Sequence, residues 1–376
     1  MRKDMEVVVI GGGQAGLAMS YHLSNADIQH VVLEKETQVA TSWQNRYDGL
    51  YTVTPNWMNS LPGLDFPGDP DDFASKNEVI DYLKSYVRLL KPPILLGCKV
   101  QSLSKKNDCF IVKTHQHIYE TRHVVVATGP FQKAVTPDFL QNLADVTQIH
   151  SHDYRNPQQL APGEVLVVGS GNSGVQIAVE LANHDRLVYL SYEKDFTLPR
   201  QLSGNTFSKI LGKIGITDRE VPLNKSEHIA DLMWWMQFMG LYEMSLDSPL
   251  GKLLSKGSDP YIGESLLSVM SQNGILGKPK VIGMNEQGVV FEDDSTLKPS
   301  NIVWATGYAY DLSWIDLPIL DQQGQPIQQE GITSLPGLYF LGLRWMRHAD
   351  SGLLKGVGRD AEHILSEINQ KMCQIA

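Results

Sequence analysis

Two stretches of the chain share one pattern of apolar and polar positions. Val7-Val8-Val9-Ile10 is a β-branched run with no polar break; it stops at Gly11-Gly12-Gly13-Gln14-Ala15-Gly16, and Leu17-Ala18-Met19 continues with helix formers. An unbroken apolar run is what a parallel strand covered on both faces requires, so the segment predicts a buried strand turning sharply into a helix. Val165-Leu166-Val167-Val168, then Gly169-Ser170-Gly171-Asn172-Ser173-Gly174 and an apolar helix through Ile177 and Leu181, repeat it. A second short strand follows each time, Gln29 to Leu33 and then Leu187 to Ser191.

The echo extends further. The run from His123 ends in Ala127-Thr128-Gly129, and the run from Asn301 ends in Ala305-Thr306-Gly307. Leu95-Leu96-Gly97 to Val100 is matched by Ile275-Leu276-Gly277 to Val281, with a strand from Val289 to Glu292 following the latter. The repetition predicts an α/β fold of two Rossmann-like dinucleotide-binding domains, the second inserted into the first. The expected boundaries are 1–157 with 297–376 for the first and 158–296 for the second.

Other segments have no repeat. Ser75 and Glu78 form a capping box for a helix with Ile80, Leu83, Val87 and Leu90 on one face. Short strands are expected at Ile94 to Val100, Cys109 to Thr114 and His117 to Glu120. The loop from Thr54 to Asp72 is rich in Pro, Asn and Gly, and a loop that long is more often functional than idle. An insertion at about 202–260 carries a helix marked by Ile229, Leu232, Met233, Met236 and Met239; it reads as an added packing layer, or alternatively as a substrate lid or membrane-facing patch. Near the end, Leu338 to Gly342 is a strand stopping at glycine, Arg344 to Asp350 is polar, and Gly356 to Glu362 opens the last helix.

At the G-x-G-x-x-G spacing each glycine has a separate task. Gly11 permits the tight turn, Gly13 lets a pyrophosphate approach the backbone, and Gly16 lets helix and strand pack closely. Phosphates then meet the free N–H groups and positive dipole end of the helix. Glu34 lies about 20 residues on, where a ribose hydroxyl needs an acid.

Composition narrows the field. With 376 residues the chain can bury two cores, and 42% apolar and 20% charged residues are those of a globular protein. A net charge of −10 gives no basic field for nucleic acid or anionic membrane. No apolar run reaches the roughly 20 residues of a membrane span, and glycines interrupt any signal-peptide core after Ile10, so a cytoplasmic protein is expected. Three scattered cysteines, Cys98, Cys109 and Cys373, include no C-x-x-C pair, so dithiol chemistry of the flavoprotein disulfide reductase kind is excluded. The pairs His115/His117 and His150/His152 lack completing ligands and read as turn and linker residues rather than metal sites.

Taken together, both glycine units, the Ala305-Thr306-Gly307-Tyr308 segment and the linker Gln148-Ile149-His150-Ser151-His152-Asp153-Tyr154 resemble class B flavin-dependent monooxygenases, specifically the bacterial flavin-containing monooxygenase-like proteins. The resemblance spans nearly the whole chain. It implies that the first unit binds FAD through Gly11, Gly13, Gln14, Ala15, Gly16, Glu34, Lys35, Trp43, Val100, Thr128, Gly129 and Gly342. The second would bind NADPH or NADH through Gly169, Gly171, Asn172, Ser173, Gly174, Ser191, Glu193, Lys194, Arg200, Thr306 and Gly307. His150 and Tyr154 match the family signature, whereas Ala144 and Val146 replace its Phe and Gly, and Val53 stands where relatives often have Asn. Because the chain offers one acid and one lysine after the second strand, weak discrimination between NADH and NADPH is expected.

The implied activity is oxygenation of a soft nucleophile, a sulfide or amine, through a C4a-hydroperoxyflavin. Tyr154, where Baeyer–Villiger enzymes usually have Trp, favours heteroatom oxidation. Ketone oxygenation, an NAD(P)H oxidase or reductase, and a non-catalytic redox sensor are the alternatives. The cofactor carries the chemistry, so no catalytic side chain is named. Partners are a small-molecule substrate and O2; a homodimer is compatible with the sequence but not dictated by it.

Overall fold

The computed structural model describes residues 2–140, 143–193, 197–199 and 261–373. In chain order the first unit contains β1 (Arg2–Ile10), α1 (Gln14–Asn25), β2 (His30–Leu33), α2 (Thr41–Gln44), α3 (Lys76–Leu90), β3 (Ile94–Leu95), β4 (Val100–Lys106), β5 (Cys109–Thr114) and β6 (Ile118–Val126). The chain crosses through β7 (Lys133–Ala134) to β8 (Thr147–His150), β9 (Val165–Val168), α4 (Asn172–Ala182), β10 (Val188–Ser191), β11 (Thr197–Pro199), β12 (Tyr261–Gly263) and α5 (Leu266–Gln272). There follow β13 (Leu276–Lys278), β14 (Val281–Asn285), β15 (Gly288–Phe291), β16 (Thr296–Leu297) and β17 (Asn301–Trp304). It returns through β18 (Tyr308–Ala309), β19 (Gln328–Gln329), β20 (Ile332–Thr333) and β21 (Leu338–Phe340) to the last helix, α6 (Leu354–Cys373).

Two parallel arrays have the same strand order. The first runs β3-β2-β1-β6-β21 and the second β13-β10-β9-β17-β8. Their registers match as well: Ile10 lies opposite Leu33 and Val126, while Val168 lies opposite Ser191 and Trp304. Val7 to Val9 and Val165 to Val167 are completely buried, as an unbroken apolar run in a sheet covered on both faces must be. Both glycine turns therefore leave a central strand at its carboxyl end, between neighbours reached in opposite directions. That is the place where open α/β sheets bind ligands.

The second array reaches beyond the boundaries expected for its domain. β8 precedes residue 158 and β17 follows residue 296, yet both pair within that sheet. The reason is symmetry: β17 is to β9 what β6 is to β1, and a sheet closed on only one side would leave β9 an exposed edge. Smaller differences concern strand ends. β1 extends back to Arg2, β6 is one continuous strand where two were expected, and Leu96 to Lys99 form a turn between β3 and β4, with Gly97 at φ 67°. The Ser75–Glu78 capping box is present at α3. Among the described residues no helix is long and apolar enough to cross a membrane. The insertion helix expected from Ile229 to Met239 lies outside the described residues.

Where the chain crosses between units, β7 and β18 pair antiparallel, Tyr308 opposite Ala134 and Ala309 opposite Lys133. A two-stranded ribbon thus carries both crossings. A second seam is made by the segment after α2, which docks on α4: Tyr47 Oη donates to Gln176 Oε1 at 3.0 Å, and Gln176 Nε2 donates to the Tyr51 carbonyl at 3.1 Å.

Glu180 is the centre of that seam. Its two oxygens accept from Gly49 N–H and Tyr154 Oη, each at 2.9 Å, and Tyr154 is fully buried. Burial raises the Glu180 pKa above its ordinary 4.5, opposed by the two donors. A carboxyl group with a raised folded-state pKa contributes stability below its unfolded value, and that contribution is lost as pH rises through the folded value. Changing Glu180→Gln is therefore expected to flatten the decline in stability above pH 4.5 and to match or exceed the original stability at pH 7. Glu180→Ala instead strands two donors and is expected to cost about 1–3 kcal/mol. Urea unfolding of both variants from pH 4.5 to pH 8 checks this; a steeper decline in E180Q would contradict it.

Candidate functional site

The first glycine turn has no slack on its sheet side and no obstruction on the other. A Cβ at Gly11, φ 108°, would lie 2.4 Å from the Ala127 carbonyl oxygen, and one at Gly16 would lie 1.9 Å from the Gly11 oxygen. At Gly13 it would meet nothing within 4 Å. Gly13 is the N-cap of α1, no side chain caps it, and the first turn has no acid. Free N–H groups there are open to an anion.

The second turn reproduces this almost atom for atom. A Cβ at Gly169, φ 109°, would lie 2.5 Å from the Ala305 oxygen, one at Gly174 1.8 Å from the Gly169 oxygen, and one at Gly171 would meet nothing. Gly171 is the uncapped N-cap of α4, again without acid in the first turn. Gly129 and Gly307 match too: both have positive φ, 72° and 89°, and open space beside them.

Around the first cradle, Glu34 Oε2 accepts from Gly12 N–H at 2.6 Å and Oε1 from Glu36 N–H at 2.9 Å, which fixes the acid at the edge of the turn with lone pairs to spare. Lys35 is exposed and pairs with Glu36. Trp43 packs against both main cores. Thr128 Oγ1 accepts from Gln132. Val100 packs on the first core at the start of β4. Gly342 sits against Ala15, and Gln14 Nε2 donates to the Gly352 carbonyl at 3.2 Å, so the loop before α6 lies against the start of α1.

At the second cradle, Asn172 Oδ1 accepts from Ile262 N–H at 3.0 Å and Ser173 Oγ accepts from Arg46 at 3.4 Å. Thr306 donates to the Val135 carbonyl beside the ribbon. Ser191 is buried and its hydroxyl donates to the Pro279 carbonyl at 2.7 Å, so its hydroxyl proton is directed into the protein rather than toward a coenzyme. Glu193 pairs with Lys280 at 3.2 Å. Lys194 and Arg200 lie outside the described residues.

The signature residues sit nearby in different roles. His150 is buried, its Nδ1 accepts from His152 N–H, and burial lowers its pKa; its ring meets Tyr308 edge-on at 5.4 Å. Tyr154 belongs to the second core and reaches the cradle only through Glu180 and α4. The loop from Thr54 to Asp72 meets the C-terminal segment at a small apolar cluster of Trp57, Met58, Ile262 and Leu353.

Sequence reasoning missed Arg46, Phe131 and Lys280. Arg46 had one usable signal, a lone cation between Trp43 and Tyr47 in a polar loop. Lys280 had none, because its partner is distant in sequence.

Residues 8–206 match the family described as pyridine nucleotide-disulphide oxidoreductase. The chain belongs to this family. This oxidoreductase is 41% identical over 371 residues to a CzcO-like oxidoreductase of Geobacillus kaustophilus (strain HTA426), covering 98% of this chain and 99% of the relative. It is 28% identical to the probable indole-3-pyruvate monooxygenase YUCCA1 of Arabidopsis thaliana, covering 97% and 89%. A solved flavin-containing monooxygenase from Stenotrophomonas maltophilia superposes with TM-score 0.75 at 23% identity over 98% of this chain and 99% of that one. The oxidoreductase therefore shares the two-dinucleotide fold of the flavin monooxygenases.

Proposed function

We propose that this oxidoreductase is an FAD-dependent monooxygenase that uses NADPH or NADH and O2 to oxygenate a soft nucleophile, a sulfide or an amine. The observation that carries the reading is the pair of uncapped, unobstructed helix starts at Gly13 and Gly171, one on each sheet. FAD would be held at the first, with Gly11, Gly13, Gln14, Ala15 and Gly16 as the phosphate cradle and Glu34, fixed at the edge of the turn, as the acid for the ribose. The nicotinamide coenzyme fits the second, at Gly169, Gly171, Asn172, Ser173 and Gly174. FAD, when bound, supplies the redox and O2 chemistry. The protein's part is to bind and orient: the loop before α6 is tied to the start of α1 by Gln14, and Trp57, Met58, Ile262 and Leu353 pack together where the Thr54–Asp72 loop meets it.

For a sulfide the balance is sulfide, O2, NADPH and one proton giving sulfoxide, NADP+ and water. Turnover under 18O2 tests it: one heavy oxygen in the product, with coenzyme and product in equal amounts, is expected. Coenzyme consumed with equivalent hydrogen peroxide and no oxygenated product would make the protein an oxidase. A second reading, oxygenation at a carbonyl, is favoured by the plant relative, named for a 2-oxo acid and aligned over 97% of this chain. Presenting a 2-oxo acid in the same assay separates the two. A cytoplasmic enzyme, supplied by the NAD(P)H pool there, fits either reaction.

Coenzyme choice is expected to be weak. Lys280 neutralises Glu193, so a 2′-phosphate placed there meets no net negative charge. Steady-state kcat/KM with NADH and NADPH should differ by less than about a hundredfold, roughly 2.8 kcal/mol. A larger preference for NADPH would sink the expectation.

A further inference from the structure

Arg46 belongs to the first unit, following α2, yet its guanidinium lies at the second cradle. Nη2 donates to Ser173 Oγ at 3.4 Å, in the first turn of α4, and Nη1 donates to Tyr308 Oη at 3.2 Å. The group stacks over Phe131 at 4.8 Å and Tyr308 at 5.5 Å from the ring centres. Its backbone is held too: Lys76 Nζ, largely buried, donates to the Arg46 carbonyl at 3.1 Å while pairing with Asp48 at 2.6 Å.

Among the described residues the Arg46 guanidinium has no ion-pair partner. A helix N-terminus carries partial positive charge and disfavours a cation beside it. α4 has no acid in its first turn. Stacked on two rings, an Arg keeps its edge N–H groups for a planar or tetrahedral anion. The open positions at Gly171 and Gly307 lie on the same cradle. Two positive features, the start of α4 and a guanidinium that reaches Ser173 in its first turn, favour an anion at this cradle.

We propose that Arg46 is a coenzyme-binding residue: it clamps the pyrophosphate of NAD(P)H against the N-terminus of α4 from across the cleft. The proposal rests on the second cradle being the coenzyme site. It also gives the ribbon a task. Phe131 adjoins β7 and Tyr308 begins β18, so a diphosphate drawn to Arg46 tightens the first unit onto the second at the crossing itself.

Titration calorimetry on the FAD-loaded full chain tests it, with NADP+ and with ADP-ribose, which keeps the pyrophosphate but lacks both the nicotinamide and the 2′-phosphate. R46Q is expected to weaken both by about 10- to 100-fold, the usual range for losing a charge-assisted pair, with FAD content unchanged. R46K, which keeps charge without the fork, should lose less in the same direction, and it carries the test should R46Q fail to fold. Equal affinities in original and variants overturn the proposal and leave the coenzyme site standing. Loss for NADP+ but not ADP-ribose also overturns it, by moving Arg46 to the nicotinamide or the 2′-phosphate, the two groups that ADP-ribose lacks. If the original protein binds neither probe, the coenzyme site itself is wrong and the proposal falls with it.

Discussion

Gly13→Ala is expected to yield a folded protein that binds FAD more weakly and purifies with reduced flavin content, and Gly171→Ala a yellow protein that needs a higher NADPH or NADH concentration to be reduced. The two substitutions are chemically identical and sit at equivalent positions, so their different outcomes would assign the two cradles. Neither costs much in the fold. Both glycines are helix N-caps with extended backbone, φ −78° and −70°, which alanine adopts, and the added Cβ meets no protein atom within 4 Å. Exchanging glycine for alanine at an N-cap is expected to cost at most about 1 kcal/mol. The ligand bears the loss, because the methyl group occupies the space through which a pyrophosphate reaches the helix N–H groups. A forced contact of that kind costs about 1–3 kcal/mol, which is roughly 5- to 140-fold in affinity. Flavin absorbance per protein and titration with NADP+ read the two sites separately. Full FAD occupancy in G13A, with unchanged affinity for added FAD, would show that the first turn is not the flavin site.

What the sequence disclosed, and what it did not, follows from the range over which each feature is determined. The two strand–glycine–helix units were legible because both the apolar run and the glycine spacing are set by contacts within about 20 residues. Their equivalence in space, down to the carbonyls of Ala127 and Ala305 behind Gly11 and Gly169, follows from the repeated Ala-Thr-Gly ends. β8 was not legible as part of the second sheet. Thr147 to His150 is a short, mixed segment whose strand character comes from pairing with β17, more than 150 residues later. Site chemistry divides in the same way. Glu34 could be placed by its distance from the turn, whereas Ser191, also at a strand end, turns its hydroxyl to Pro279 because β13 brings that carbonyl alongside. Glu193 could be placed after the second strand, but its ion-pair partner Lys280 could not. Arg46 reaches its place because the loop after α2 docks on α4, a contact made by Gln176 and Glu180 of the second unit, 129 and 131 residues beyond their partners.

Moving the same glycine-to-alanine change three positions along each motif is expected to strike the fold rather than the ligand. In Gly16→Ala the new Cβ would lie 1.9 Å from the Gly11 oxygen, and in Gly174→Ala 1.8 Å from the Gly169 oxygen. The obstacle is backbone, and it cannot retreat. Gly11 N–H donates to the Leu33 carbonyl at 2.8 Å and Gly169 N–H to the Ser191 carbonyl at 3.0 Å, while behind them the Ala127 and Ala305 carbonyls already preclude a side chain. The helix must therefore move off its strand, opening the contact that buries Leu17 and Ala18 in one unit, Ile177 and Ala178 in the other. Overpacking of this kind costs about 3 kcal/mol or more, at the upper end of such substitutions. For units of this size that corresponds to a fall in melting temperature of roughly 6–12 °C. Melting measured on flavin-free protein removes any contribution from lost ligand, and G13A and G171A, expected to melt within a few degrees of the original, are the controls. If G16A or G174A melted as they do, the close helix–strand contact would be elastic, and the glycine at that position would be serving the ligand instead.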